Sequence, residues 1–434
     1  MVGTAISIPA YVRLVRTNRN FRLLWCAQIV SEIGDWLYTV AIYSLLLEFT
    51  GSAKAVALAF VLQVLPQFLI SPTAGVLNDR VSRKRMMIMA DWARAVIVLA
   101  MVLVRSPEWI WFLYLLLLME TMMWALFEPG RSAVIPNITT GSDRLVANAL
   151  SSTTWAFNLA AGSAIGGFAA AFFGRDTVFI ANALTFVVSG LILRQMNFEE
   201  PHVQGQPPLR LRHLFDFSPI LEGLRYVRKD RRLLATMFVK CGSGLLGVNW
   251  VLLTIFGERI FPVQVAGLDP RSSGMLGMSL LMGFRGVGAL IGPLIATWWS
   301  HGLERRMRHG ILFGYLAGAV GYVTLGFTEI LPAACASVAL AHAGGSICWV
   351  FSSTILQANT EDRFRGRVFS AEYGFAMLTM SSVNYLAGTF VDMGVHVRTV
   401  AWVAGFSLLI PAMAWIAALR LWRHQPATLT GESR

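Results

Sequence analysis

Two acidic residues lie inside a long apolar run near the start of the chain. The segment IVSEIGDW carries Glu32 and Asp35, and the surrounding run extends from Phe21 to Phe49. Residues three apart share one face of a helix, so both carboxylates would point the same way. Within a bilayer such groups normally face the interior of a helix bundle. A carboxylate that is protonated while open to one side of a membrane and ionised while open to the other can couple a proton to a substrate.

The composition predicts an all-α polytopic membrane protein. The 434 residues are 56% hydrophobic and only 14% charged, whereas soluble proteins have about 25% charged residues. Apolar runs of roughly 20 residues, the length that crosses a bilayer, recur along the whole chain. The net charge of +12 does not indicate binding to nucleic acid, because the basic residues form short clusters between the apolar runs.

We predict twelve membrane spans. Most of the 36 basic residues lie in the terminal segments and in the connections on their side. By the positive-inside rule both termini are cytoplasmic, as in a multi-pass protein of a bacterial-type plasma membrane. The spans lie near residues 21–48, 54–77, 86–104, 109–128, 145–173, 177–196, 233–256, 272–299, 310–327, 331–354, 366–390 and 396–422.

A long polar connection after the sixth span divides the chain into halves of six spans, an organisation typical of transporters built from repeats. The segment SPILEGLRYVRKDRR that follows has an apolar stripe opposite basic residues. It predicts a helix that either lies on the cytoplasmic leaflet or packs on the bundle. The predicted parts are an N-terminal six-helix bundle, a cytoplasmic linker, an amphipathic helix and a C-terminal six-helix bundle, at 1–198, 199–217, 218–232 and 233–434.

The connection GVLNDRVSRKR after the second span resembles the loop 2–3 signature of the major facilitator superfamily, Gly-x-x-x-Asp-Arg-x-x-Arg-Lys/Arg. The matching residues are Gly75, Asp79, Arg80, Arg83 and Lys84. Further stretches, including MADWARA, FEPGRSAVIPNI and RFRGRVFS, resemble the drug-exporter branch with macrolide and siderophore (enterobactin-type) exporters. The resemblance implies two six-helix bundles, alternating access and proton-coupled export of the drug:H+ antiporter type.

The loop residues are candidates for a gate between the bundles. Asp79 can accept the free amides at the start of the eleventh span, and Arg80 or Arg83 can meet Glu128 at the end of the fourth. The alternative is that the basic residues only determine topology. We predict a conformational role for Asp79.

The fifth span contains AAGSAIGG, which partly resembles the antiporter signature Gly-Pro-x-x-Gly-Gly. Gly162, Gly166 and Gly167 match, whereas Ser163 stands where proline is usual. Small residues at this spacing let two helices approach closely. Plain helix packing and a role in rocking are both compatible with the pattern.

Several charged residues fall within the predicted spans. For proton coupling we rank Asp35 first, Glu32 second and Glu120 third. Arg285 is either a counter-charge across the two bundles or a ligand for an anionic head group. The alternative for these four is a static buried ion-pair network. Three other ionisable residues are assigned elsewhere: Asp91 and Arg94 form a structural pair within one helix, and Lys240 reaches toward the membrane surface.

Aromatic and amide side chains are predicted to line a central cavity, where they offer flat amphipathic contacts to a bulky ligand. These side chains are Trp36, Trp124, Trp155, Asn158, Asn249, Trp250, Trp349, Asn384 and Tyr385.

The leading prediction is a secondary exporter of amphipathic small molecules; the alternative is an exporter or flippase of a lipid-like or siderophore substrate. An enzyme is disfavoured because the seven histidines show no metal-like or triad spacing, and a channel because nothing resembles a filter. We expect a monomer with a small-molecule substrate and membrane lipid as partners. No cofactor is expected, since the proton gradient would supply the driving force.

Overall fold

The computed structural model describes residues 8–140, 143–200, 218–267 and 269–422. Within these ranges all regular structure is helical, and we distinguish fourteen α-helices. The first eight are α1 Ile8–Thr17, α2 Arg19–Thr50, α3 Ala53–Arg80, α4 Arg83–Ala100, α5 Ile110–Ile138, α6 Asp143–Phe173, α7 Arg175–Arg194 and α8 Ser218–Val227. The others are α9 Arg231–Ile260, α10 Pro270–Ser300, α11 Glu304–Phe327, α12 Leu331–Asn359, α13 Asp362–Asp392 and α14 Val397–Leu419.

Ten helices in the described residues are long and apolar enough to cross a membrane. The other two long helices, α3 and α13, are not among these ten: the apolar stretch found in the described residues of α3 is Ala53–Gln67, and α13 carries several charged residues. The polytopic helical fold is therefore confirmed, and the count of twelve spans stays a prediction.

The sequence defines many helix starts through side-chain caps. Asn18 accepts a hydrogen bond from the N–H of Phe21 at the start of α2, and Ser52 does the same for Ala55 in α3. Asp269 caps α10, whose first residue is Pro270. Such caps satisfy amide groups that lack a partner within the helix.

The long helices form two groups, and two pairs of helices make most of the contacts between the groups. Helices α2 to α7 contact one another in the N-terminal half, and α9 to α14 do so in the C-terminal half. Extensive contacts join α6 to α10 and α3 to α13 across the halves. We call the end where α2 begins the terminal side, and the end where α2 stops the far side.

Helix α5 is longer than the fourth predicted span, which stops at 128. It continues to Ile138 with Pro129 and Pro136 inside the helix. Proline lacks an N–H, so carbonyls one turn earlier lose their helical partner. A guanidinium of the loop motif also binds this part of the helix, since Arg83 Nη1 donates to Ala133 O at 3.0 Å. The helix nevertheless continues through both prolines.

Helix α9 is irregular: α-helical segments flank a 3₁₀ segment at Gly244–Val248, and a π-helix ends it at Phe256–Ile260. Helix α8 ends at Val227 rather than 232, and it packs against α13. Tyr226 stacks on Phe364 with ring centroids 4.3 Å apart. Packing on the bundle, one of the two predicted alternatives for this helix, is thus observed. Of the linker predicted at 199–217, residues 201–217 lie outside the described residues.

Candidate functional site

One arginine is surrounded by three carboxylates inside the N-terminal half. Arg94 of α4 is 1% exposed, and its Nη2 donates to both oxygens of Asp35 on α2, at 2.6 and 2.8 Å. Its Nε donates to Glu120 Oε1 on α5 at 2.9 Å. Asp91, one turn earlier on α4, has its Oδ1 3.6 Å from Arg94 Nη1. We call these four residues the Arg94 cluster.

The surroundings of the Arg94 cluster are partly polar and partly aromatic. Ser189 of α7 donates to Asp91 Oδ2 at 2.6 Å, and Tyr38 donates to Glu120 Oε2 at 3.3 Å. The Arg94 guanidinium carbon lies 4.0 Å from the ring centroid of Phe186, a favourable cation–π distance. When fully ionised, the cluster holds three negative charges against one positive charge.

The predicted ion pair of Asp91 and Arg94 is present, but Arg94 has two further partners that spacing did not predict. The pair exists at the expected spacing, but it is the longest of the arginine's three ion pairs. Asp35 and Glu120 bind the same guanidinium from neighbouring helices. Helix spacing could reveal the contact along α4 only, because the other two depend on how helices pack.

Glu32 belongs to a second network, on the terminal side of the Arg94 cluster. Its oxygens accept hydrogen bonds from Gln28 at 2.9 Å and from Asn158 of α6 at 3.0 Å. Gln28 in turn accepts a hydrogen bond from Arg131 at 3.1 Å, and Arg131 pairs with Glu128. The two carboxylates of IVSEIGDW thus have different partners.

Arg285 of α10 lies between aromatic rings at the junction of the halves. Its guanidinium carbon is 4.4 Å from the ring centroid of Trp250 on α9 and 5.9 Å from that of Trp36 on α2. The two tryptophans stack, with centroids 6.2 Å apart and planes 6° apart. Trp250 also contacts Tyr43 and Phe60 of the N-terminal half. We call Arg285, Trp36 and Trp250 the Arg285 site.

The predicted amides are buried, with mixed partners. Asn384 Oδ1 accepts from the N–H of Val251 at 3.3 Å, and Asn249 donates to Leu246 O at 2.8 Å. Asn158 holds Glu32, as above. Trp124 is half-buried. The three amides therefore lie inside the bundle, but each has different partners.

Lys240 does not reach the membrane surface as predicted. It is buried and donates to Glu372 Oε2 of α13 at 2.7 Å. Its amino group also lies 4.4 Å from the ring centroid of Trp349 on α12. Because the acceptor comes from a helix far along the chain, residue spacing held no signal for this pair.

On the terminal side, the basic residues of the loop motif form hydrogen bonds to other residues of the N-terminal half. Arg83 donates to Asn78 O at 3.1 Å, and Lys84 Nζ to Met196 O at 2.5 Å. Glu128, the predicted partner of Arg80 or Arg83, pairs with Arg131 instead. The side chain of Asp79 is not among those that the structure describes, so the gate stays a prediction.

The glycines of α6 lie where helices approach closely. A Cβ at Gly162 would overlap Trp36, and one at Gly166 would overlap the backbone of Leu37 on α2. Gly167 faces Ser279 of α10, in the other half. Ser279 also donates to Ala164 O at 3.2 Å.

On the far side, Asp392 at the end of α13 caps α3 of the other half. Its carboxylate accepts hydrogen bonds from Ser52 Oγ at 2.5 Å, Ala53 N at 2.7 Å and Lys54 N at 3.1 Å. We call this set the far-side latch. The far-side latch was not predicted, because nothing in the sequence around Asp392 indicates that it contacts residues 52–54.

No group of three or more histidine, cysteine, aspartate or glutamate residues suited to a metal ion occurs in the part of the chain that the structure describes.

Comparisons with known proteins agree with this architecture. The family model described as Major Facilitator Superfamily matches residues 24–329. The putative bacilysin exporter BacE of Bacillus amyloliquefaciens is 22% identical over 354 residues, covering 81% of this chain and 84% of that protein. Macrolide efflux protein A of Streptococcus pyogenes is 35% identical over 119 residues, covering 27% and 29%.

Among solved structures, a bacterial homologue of the human lysosomal transporter Spinster, in an inward-facing and occupied conformation, shares the fold. Its TM-score is 0.70 at 13% identity, covering 98% of this chain and 100% of that one. With the family model extending across both halves, the chain belongs to the Major Facilitator Superfamily and is a membrane transporter rather than an enzyme.

Proposed function

We propose that the protein is a proton-coupled exporter of amphipathic small molecules that works by alternating access. The observation that carries the proposal is the Arg94 cluster. Three carboxylates share one guanidinium in a buried place, so the fully ionised cluster has an excess of two negative charges. Like charges at such short range are costly away from water.

Binding a proton reduces this cost, and we assign the proton to Asp35 in the state in which its two hydrogen bonds from Arg94 are released. Its side chain is 20% exposed, against 7% for Glu120 and 0% for Asp91. Asp91 is held by Ser189, and Glu120 by Tyr38. Glu32 lies nearby on the same helix face and is second in rank.

Export and substrate class rest on the relatives. One is named a putative bacilysin exporter and another a macrolide efflux protein, which favours outward movement of bulky or amphipathic molecules. The aromatic Arg285 site suits such substrates. We further propose a monomer in the bacterial plasma membrane with both termini in the cytoplasm, as the loop charges indicate.

The test is transport by purified protein in liposomes with an imposed pH gradient. A radiolabelled macrolide, ethidium and the anionic N-dansyl-phenylalanine serve as substrates, and an internal pH dye reports proton movement. Wild type should accumulate at least one substrate only with the gradient, and proton flux should rise when that substrate is added. Asp35→Asn should abolish the response to the gradient.

The matched control is Asp176→Asn, which removes an exposed far-side carboxylate paired with Arg105 and should leave transport intact. Uptake that is insensitive to the gradient in wild type would reject proton coupling. Unchanged coupling in Asp35→Asn would instead reject the assigned residue.

A further inference from the structure

Arg285 is a buried cation without an ionic partner. It is 9% exposed, and in the described part of the chain its Nε and Nη1 have no hydrogen-bond acceptor. The neighbouring Trp250 Nε1 is buried and lacks an acceptor as well. The Arg285 site therefore presents several N–H donors and needs an acceptor from elsewhere.

Other buried cations in the described residues are paired within their own half. Arg94 binds Asp35 and Glu120, and Lys240 binds Glu372. A buried charge without a partner is costly, and removing it generally favours the folded state. Its presence at the junction of the halves points to a ligand that supplies the missing charge.

We propose that Arg285 binds the anionic group, a carboxylate or phosphate, of an amphipathic organic molecule carried by this transporter. Guanidinium groups match both anions through paired hydrogen bonds. Trp36 and Trp250 supply flat walls for the apolar part of the same molecule. This inference rests on the proposed function, because it names the substrate class of that transport pathway.

The position of the site suits a transported ligand. Gly286, the next residue, packs against Ala160 of α6, so Arg285 lies beside the contact between the halves. Trp36 comes from the N-terminal half and Trp250 from the C-terminal half. A ligand in this place touches both halves at once and can respond to their relative movement.

The alternative is a counter-charge across the halves, and among the residues that the structure describes no acidic side chain pairs with Arg285. Asp35 directly precedes Trp36 of the Arg285 site in α2, but both of its oxygens bind Arg94. A bidentate pair of this kind is among the stronger ionic contacts. The described residues therefore offer no anion to Arg285, and this is the reason for assigning it a ligand.

Binding is tested at equilibrium in nanodiscs of phosphatidylcholine, without any gradient. The probes are N-dansyl-phenylalanine, which has a carboxylate, and its neutral amide. Wild type should bind the acid about 10- to 100-fold more tightly than the amide, as expected for charge-assisted hydrogen bonds. Arg285→Met should lose this preference, whereas Arg105→Met, at an exposed far-side position, should keep it.

Equal affinity for acid and amide in wild type, no binding of either, or an unchanged preference in Arg285→Met would each overturn the proposal. A second arm adds phosphatidylglycerol to the nanodiscs. If this lipid weakens probe binding in wild type, the site accepts a lipid phosphate; if it does not, the site takes a free solute. Both results support an anion site.

Thermal unfolding in detergent separates a ligand site from a structural cation. Arg285→Met should unfold at the wild-type temperature or above it, while Arg94→Met should unfold at a lower temperature. A large loss of stability in Arg285→Met would overturn the proposal. Since these measurements need no transport, a failure of proton coupling would appear separately, in the liposome assay alone.

Discussion

The far-side latch predicts how one side chain biases the conformation of the transporter. In alternating access the two halves separate on the far side, so the hydrogen bonds of Asp392 to the start of α3 must break there. Replacing a helix N-cap by alanine costs about 1 kcal/mol, and up to about 2 kcal/mol in proteins. The negative charge near the helix N-terminus adds a favourable term of about 0.3–1 kcal/mol.

Part of the capping survives without Asp392, because the Ser52 hydroxyl itself accepts from Ala55 N at 3.1 Å. We therefore expect Asp392→Ala to destabilise the far-side-closed state by about 1–2 kcal/mol. That change multiplies the ratio of open to closed protein by about 5 to 30. Asp392→Asn keeps an acceptor and should give a smaller shift.

The assay is pulsed electron spin resonance with labels at Glu108 and Glu329, which are exposed on the far side of the two halves. The long-distance population should grow in Asp392→Ala. Asp269→Ala is the matched control, because Asp269 caps α10 within its own half and should leave the distance distribution unchanged. An identical distribution in wild type and Asp392→Ala, or an equal shift in the control, would refute this reasoning.

Three further perturbations probe other contacts. Arg94→Met should lower the free energy of unfolding by about 3–5 kcal/mol, as measured by chemical unfolding in detergent, and adding Asp35→Asn should restore part of the loss; a neutral Arg94→Met contradicts the cluster. Gly286→Leu should abolish transport in liposomes by pushing α10 away from Ala160, and normal transport would show that this contact is dispensable. Hydrogen bonds from backbone N–H groups in the first turn of α10, chiefly that of Ser272, lower the pKa of Asp269. Its cap therefore contributes stability at neutral pH that is lost as the pH falls through this lowered pKa. Asp269→Asn should weaken the acid dependence of unfolding, and an unchanged pH profile would exclude the cap as its source.

The fold was largely predictable from the sequence because a bilayer imposes long apolar segments. The first span, predicted at 21–48, is Arg19–Thr50 in the structure, and the tenth, predicted at 331–354, is Leu331–Asn359. The fourth predicted span stops at 128, whereas the helix continues to Ile138 past Pro129 and Pro136. Other parts of the molecule supply hydrogen bonds to that helix end, and no local pattern contains this information.

The candidate site was predictable only in its parts. The apolar runs around Asp35, Glu120 and Arg285 predict that these residues lie inside the bundle. The three-residue spacing predicts the ion pair of Asp91 and Arg94. The shared guanidinium depends on the packing of α2, α4 and α5, which three-residue spacing does not determine. That Arg285 lacks an acidic partner among the described residues also depends on tertiary structure, because it requires knowing which side chains surround the guanidinium.

The order of residues along α2 has a consequence for the energetics of transport. Asp35 belongs to the Arg94 cluster and Trp36 to the Arg285 site, so the two sites meet at consecutive Cα atoms, about 3.8 Å apart. Coupling between two ligands is reciprocal in free energy. If both sites act as proposed, this coupling requires no relay through the protein, because a movement of this single helix turn displaces both contacts. Under the proposed mechanism, a change of charge at Asp35 acts on the aromatic contact of Trp36 across one peptide bond.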